Sequence, residues 1–297
     1  MISVILPSRN GADTLPDTLA ALAALEPPPG GHEIVLVDNA SDDGTLALLE
    51  RFAREHGARL LREPTPGKSR ALNRAIGQAR GELLVFVDDD VIVPPGWLRA
   101  YDRASRDHPA AGLFAGALAP AWRQPPPAWL AGLAAEGRCC GATPKTLAEG
   151  PCAPGVLKGA NFAVRREALG EQRFAGGAAD FGSGPRTGGE DSELARRIVR
   201  SGIALVHVPA AWAGHIVQPD EMTPAAVFAR YRRIGSSQAP RRPRLPGALA
   251  DMLAAAGFAA GAAGALLLGA RLAAARHLIR VASRLGRVER ALRCPSA

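Results

Sequence analysis

The segment ELLVFVDDDVIV (82–93) restricts the fold more than any other stretch of this chain. An apolar run ends abruptly in Asp88, Asp89 and Asp90, and a second apolar triplet, Val91–Val93, follows at once. Such a run is consistent with a buried strand. Its end carries three adjacent carboxylates that repel one another, and half-buried charge costs free energy unless a partner meets it. The segment therefore calls for a cation or another partner at this strand end.

The preceding residues supply a frame. ISVILP (2–7) reads as a buried strand, and 13–25 has the helical spacing of Leu15, Leu19, Leu22 and Leu25. PPPGG (27–31) is a turn. HEIVLVDNASDDGT (32–45) gives a second strand and a polar turn, followed by a helix over 45–56. ARLLRE (58–63) gives a third strand, and TPGKSRALNRAIGQA (65–79) is a loop running into a helix. Alternation of this kind predicts an α/β domain with a mixed, mainly parallel sheet. Ligands in such sheets sit at the carboxyl ends of the strands. The clusters Ser8–Asn10, Asp38–Asp43 and Asp88–Asp90 each follow a strand directly, so all three are expected at one edge.

Further along, GANFAVRREAL (159–169) reads as a strand and a helix start. FGSGPRTGGEDSELARRIVRSG (181–202) is a glycine-rich loop and then a helix. ALVHVPAAWAGH (204–215) is another strand, with His215 expected just past it. Residues 120–157 are rich in Pro, Gly and Ala and are expected to be irregular. We place a domain boundary after residue 225, leaving 226–297 as a basic and apolar helical region.

Charge separates the two parts. The net charge of +8 is concentrated between Arg230 and Arg293, where acids are nearly absent. A basic balance suits an anionic partner. Here the arginines accompany an apolar helix and lack interleaved aromatics, which favours a membrane surface over nucleic acid. Met252–Ala270 contains no charge, yet it is mostly Ala and Gly. Three readings stay open for it: a surface or re-entrant helix, a span, or a plain helical hairpin. Cys139, Cys140, Cys152 and Cys294 lack a zinc spacing and read as the reduced thiols of a cytosolic protein. The apolar start is cut short by Pro7 and Arg9, so no signal peptide is expected.

Several motifs bear on chemistry. PTPGKS (64–69) ends like a phosphate-binding loop, but Arg62 stands where that motif needs glycine. A carboxylate, one spacer and a carboxylate, as in Asp88–Asp90, suit Mg2+ or Mn2+ shared with substrate phosphates. An acidic turn capping the next helix is the plainer reading. Asp38 can accept hydrogen bonds from a base or ribose, while Asp42 and Asp43 read as turn residues. Gly188 and Gly189 allow close backbone approach, and Glu190 and Asp191 follow at a helix start. That pair serves either as a general base or as helix-capping charge.

Taken in order, SVILPSRN, VDNASDDGT, PGKSRALNRAIGQARGELLVFVDDDV, GANFAVRREAL, GGEDSELARRIVRSG and HVPAAWAGH resemble the inverting family 2 glycosyltransferases of the GT-A fold. The resemblance covers residues 2–215. It implies a Rossmann-like GT-A domain, a nucleotide-diphosphate sugar donor of UDP or GDP type, and a Mg2+ or Mn2+ cofactor. It implies that Pro7, Arg9 and Asn10 line the nucleotide pocket, that Asp38 meets the base, and that Lys68 and Asn73 lie near the nucleotide. It assigns Asp88 to ribose and metal, Asp89 to the variable middle place, Asp90 to the metal and His215 to the metal or diphosphate. Gly159, Ala160, Asn161 and Glu190 fall on the acceptor side, and Asp191 is the catalytic base. The QxxRW motif of processive members is absent from the sequence; RYRRIGSSQ (230–238) occupies the comparable region. The expected acceptor is a saccharide or lipid-linked hydroxyl, met at the inner face of the cell membrane in envelope or extracellular polysaccharide synthesis. A sugar nucleotidyltransferase would need a glycine-rich basic loop after the first strand, and SRNGADT has one glycine. A non-catalytic nucleotide-sugar binder or membrane scaffold stays open as the other rival.

Overall fold

The computed structural model describes residues 1–175, 189–238 and 245–293. Gly188, most of the glycine-rich loop before it, and Cys294 lie outside the described residues. The chain forms two compact units. The first holds residues 1–121, 140–175 and 190–216, and the second holds 122–139 with the described residues of 217–297.

In the first unit, β1 (Ile2–Ser8) is buried along its whole length. It pairs in parallel with β2 (His32–Asp38) on one side and β4 (Leu83–Val87) on the other. β3 (Arg59–Arg62) adds to β2 in parallel. Helix α1 (Leu15–Ala23), helix α2 (Thr45–His56) and helix α3 (Lys68–Gln78) connect these strands. The central strands are covered on both faces, which is why they read as continuous apolar runs rather than alternating ones.

Beyond β4 the sheet turns antiparallel. A two-residue strand β5 (Val91–Ile92) leads into α4 (Trp97–Asp107) and the long β6 (Ala111–Trp122). Helix α5 (Ala128–Ala135) and β7 (Gly150–Pro151) fall inside the stretch expected to be irregular, as does the end of β6, so that expectation holds only outside them. Next come β8 (Asn161–Arg165), α6 (Arg166–Leu169), α7 (Glu190–Arg200) and β9 (Ala204–Val217). Among the described residues the strand order is β3-β2-β1-β4-β8-β6-β9-β5, with β7 on β9. β9 runs past the expected end: His215 lies within it, paired with Val91.

The junction of β6, β8 and β9 is held by Asn161, which is fully buried. Its Nδ2 donates to the carbonyls of Ala117 (2.9 Å) and Ala211 (2.8 Å). Its Oδ1 accepts from Trp97 Nε1 (3.0 Å) and Tyr101 Oη (2.7 Å). All four hydrogen-bonding positions of the amide are thus used inside the protein. Asn161→Ala leaves two buried donors and two carbonyls without this partner and is expected to destabilise the fold by about 2–4 kcal/mol, since one unsatisfied buried group costs about 1–3 kcal/mol. Chemical denaturation checks this; a change below about 0.5 kcal/mol would show that the network relaxes around the loss.

The second unit is helical. α8 (Pro224–Gln238), α9 (Leu245–Leu267) and α10 (Arg271–Arg293) follow one another, and α10 packs against α5, α8 and α9. An Arg276–Glu136 ion pair joins α10 to the residue after α5.

Candidate active site

Parallel pairing of β1, β2 and β4 sets their carboxyl ends side by side. The three acidic neighbours then part company. Asp88 Oδ1 meets Lys68 Nζ at 2.6 Å, at the start of α3. Asp89 Oδ2 accepts from Ser8 Oγ at 2.5 Å, at the end of β1. Asp90 Oδ2 lies 3.3 Å from His215 Nε2, within β9. Each carboxylate is met by a different element, which is how the fold tolerates three in a row.

Asp89 faces inward. A Cβ added at Gly11 would overlap its Oδ2, so the loop after β1 closes directly over this carboxylate. Thr18 Oγ1 donates to the Asp89 carbonyl (3.0 Å) and accepts from Val91 N (3.1 Å), which fixes the backbone on either side of Asp90. Burial, reinforced by the Asp90 charge, pushes the Asp89 carboxyl up to about 7, against the pull of the Ser8 hydrogen bond.

Lys68 is preceded by a loop shaped by Asn39. Asn39 Oδ1 accepts from Gly67 N (2.8 Å), and its Nδ2 donates to the carbonyls of Glu63 (3.2 Å) and Thr65 (2.9 Å). The sequence reading passed over Asn39, although an Asn one residue beyond a strand end is a familiar turn former. Burial alone would lower the Lys68 ammonium, but the charges of Asp88, Asp191 and Glu190 outweigh it and raise its pKa. Lys68 therefore stays a cation at the centre of the acidic group.

Asp191 enters from the first turn of α7, beside Glu190. Its carboxylate rests on the backbone of Gly159: a Cβ added there would overlap Oδ2. Oδ1 is buried and has no hydrogen-bond partner among the described residues. Burial pushes this carboxyl up to about 7; Lys68 opposes the rise, and Glu190 and Asp88 add to it. A buried acid with one unused oxygen and a value near neutrality is suited to proton transfer.

The remaining predicted residues divide. Asp38 is 5% exposed at the end of β2, with its buried Oδ1 unbonded among the described residues. Pro7 is buried in β1, and Arg9 is half-buried just beyond it. Asn10 exchanges hydrogen bonds with Asp42, donating to Oδ1 (2.7 Å) and accepting from the backbone N (3.0 Å). That bond ties the loops after β1 and β2 together. Asn73 has its amide engaged elsewhere: it donates to the Phe174 carbonyl and accepts from Phe174 N, both at 2.9 Å. Ala160 packs against the core. The Asn161 side chain is committed to the junction described above and does not reach the Asp191 group as an acceptor contact.

Among the described residues, no three His, Cys, Asp or Glu side chains converge to hold a metal. Asp88 meets Lys68, and Asp90 meets His215. The Asp90–His215 pair offers oxygen and nitrogen donors side by side, which suits a divalent cation taking its other ligands from phosphate oxygens and water.

Residues 3–122 match the model of the family described as glycosyl transferase family 2. Residues 3–122, less than half of the chain, are thus a family 2 glycosyltransferase domain. The family 2 domain is 32% identical over 99 residues to glycosyltransferase AglE of Haloferax volcanii, a match covering 33% of each chain. It is 36% identical over 92 residues to the poly(ribitol-phosphate) beta-N-acetylglucosaminyltransferase TarS of Staphylococcus aureus, covering 30% of this chain and 16% of that one. The chain thus matches a third or less of the length of these relatives. Among solved structures, the mannosyltransferase PcManGT from Pyrobaculum calidifontis superposes with a TM-score of 0.61 at 23% identity, covering 96% of this chain and 86% of that one. The S. aureus TarS structure gives 0.55 at 18% identity, covering 79% and 39%. These likenesses fix the fold of the family 2 domain as GT-A.

Proposed function

We propose that the chain is an inverting glycosyltransferase that moves a sugar from a nucleotide-diphosphate donor to a hydroxyl acceptor. The observation that carries this reading is the Asp191 carboxylate, with a buried oxygen unbonded among the described residues and a proton affinity near neutrality. It shares its electrostatic surroundings with Lys68 and Asp88. In the proposed step, Asp191 takes the proton of the acceptor hydroxyl while that oxygen bonds to the anomeric carbon. The bond from that carbon to the diphosphate oxygen breaks, and its electron pair leaves with the nucleotide. Attack opposite the leaving group inverts the anomeric centre.

Other residues bind and orient. Lys68 supplies a fixed positive charge for the diphosphate, with α3 behind it. Asp38 accepts a hydrogen bond from the base through its unused oxygen, and Arg9 and Asn10 border the same pocket. Glu190 and the Ala160 backbone flank the acceptor, and Gly159 seats the Asp191 carboxylate. Asp90 and His215 would hold a Mg2+ or Mn2+ ion, which offsets charge on the leaving diphosphate when bound. The donor class draws support from the neighbours: PcManGT was solved with GDP-Man and Mn2+, and TarS with UDP-GlcNAc. The curated relatives include a poly-beta-1,6-N-acetyl-D-glucosamine synthase and poly(ribitol-phosphate) transferases, which supports a saccharide or lipid-linked acceptor in envelope polysaccharide synthesis. The setting we assign is the cytoplasmic face of an anionic membrane.

Thermal denaturation with UDP or GDP, each with Mn2+, Mg2+ or EDTA, tests the donor site. One nucleotide is expected to stabilise the protein only with metal, by about 2.7 kcal/mol at a hundred times its Kd. Asp90→Ala should abolish the shift. Absence of any shift from well-folded protein would defeat the proposal and favour the scaffold reading.

A further inference from the structure

Among the described residues, little covers the face of α9 turned away from α10. Gly247–Leu267 is 21 residues long with a mean hydropathy of 1.5, and only 6% of its apolar window is buried. Leu249, Met252 and Leu253 are 58%, 53% and 68% exposed, and Leu266, Leu267 and Leu268 at its end are 61%, 89% and 86% exposed. Soluble monomers rarely present so continuous an apolar surface to water.

Charge has been removed from that face. The one acid of α9, Asp251, points to α10, where it pairs with Arg284 and lies 3.9 Å from Arg287. Phe258 is likewise turned inward, with the Arg280 guanidinium 5.4 Å from its ring centre and His277 beside it. α10 carries seven arginines against one glutamate. An apolar face bordered by this much positive charge matches the chemistry of an anionic lipid leaflet.

We propose that α9 and α10 seat the protein in one leaflet of an anionic membrane, with the outer face of α9 and the Leu266–Leu268 tip among the acyl chains and α10 at headgroup level. Length alone would let α9 cross. The packing argues otherwise. α10 lies along α9, and Arg280 and Arg284 contact it at Phe258 and Asp251. Driving α9 across would carry these arginines to bilayer depth, which is costly. A second copy of the chain is a poorer occupant, because pairing would bring two arginine-rich hairpins together.

The test is flotation of the full chain with vesicles of phosphatidylcholine alone, or with about one third phosphatidylglycerol. The chain is expected to float with the anionic vesicles and about tenfold less with the neutral ones. Leu253→Glu with Leu267→Glu, both at exposed positions, should release it by about tenfold or more. The nucleotide-dependent thermal shift should survive in that variant, so failure here is separable from failure of the transferase reading. For depth, Leu267→Trp should be quenched more by lipids brominated near the glycerol end than near the chain terminus. The proposal is overturned if the chain stays soluble with every lipid, floats equally with both, or floats unchanged in the double variant. It is equally overturned if quenching is strongest at the chain terminus, which means a span. Light scattering that shows a dimer lost in the double variant would assign the face to a second copy.

Discussion

Asp191→Asn is expected to lower turnover by about 10²–10⁴-fold, the usual worth of a positioned general base. Asn has the same shape but no basic oxygen pair, so nucleotide binding should be kept. The two readouts together separate loss of chemistry from loss of folding. If the variant turns over normally while folded, the proton goes elsewhere and Glu190 is the next candidate. The pH profile gives a second check. Asp191 acts only when ionised, and its value is about 7, so kcat/KM should rise as pH passes upward through that region. Stability in the ligand-free protein should run the other way. Asp191 and Asp89 both hold their protons more tightly folded than unfolded, rising from an ordinary value of 3.8 to about 7. The stability this contributes is fully present below the unfolded value and is lost as pH rises through about 7. The activity and this part of the ligand-free protein's stability therefore lie on opposite sides of one titration.

Gly159→Ala is expected to cost nearly as much activity as loss of the base. The added methyl occupies the space of Asp191 Oδ2, so the carboxylate must turn away from its seat. A displacement of about 1 Å near the reacting atoms can cost about 10²-fold. Because Gly159 would act only through Asp191, the two changes should not add. Gly159→Ala combined with Asp191→Asn should be no slower than Asp191→Asn alone. A double variant slower by the product of the single effects would mean that Gly159 touches the acceptor itself. The resemblance placed Gly159 on the acceptor side; its close approach to Asp191 offers a different reason for the same glycine.

Strand and helix alternation over the first ninety residues was legible because β1, β4 and most of β2 are buried on both faces and each connecting helix shows one apolar stripe. The convergence of Ser8–Asn10, Asp38–Asp43 and Asp88–Asp90 was legible too, since it follows from parallel pairing alone. The direction of each side chain was not. Asp88, Asp89 and Asp90 are equivalent in the sequence, and only contacts from α3, β1 and β9 distinguish them. Asn161 sits in a motif that suggested a site, yet its partners lie 44 to 64 residues away and make it a core residue. α5 was hidden by its Ala content and by the three prolines just before it, and its apolar residues run nearly all round rather than along one stripe.

The Ser8–Asp89 bond has a consequence for donor choice. It rivets the loop after β1 to the loop after β4, with Gly11 closed over the joint. The Asn10–Asp42 pair extends the same rivet to the loop after β2. The strand ends bearing Asp38, Asp88 and Asp90 are thus joined into a single stiff plate. A plate of this kind cannot adjust to a larger sugar. If the proposed donor lies against this plate, swaps confined to it are expected to cost binding without altering donor preference.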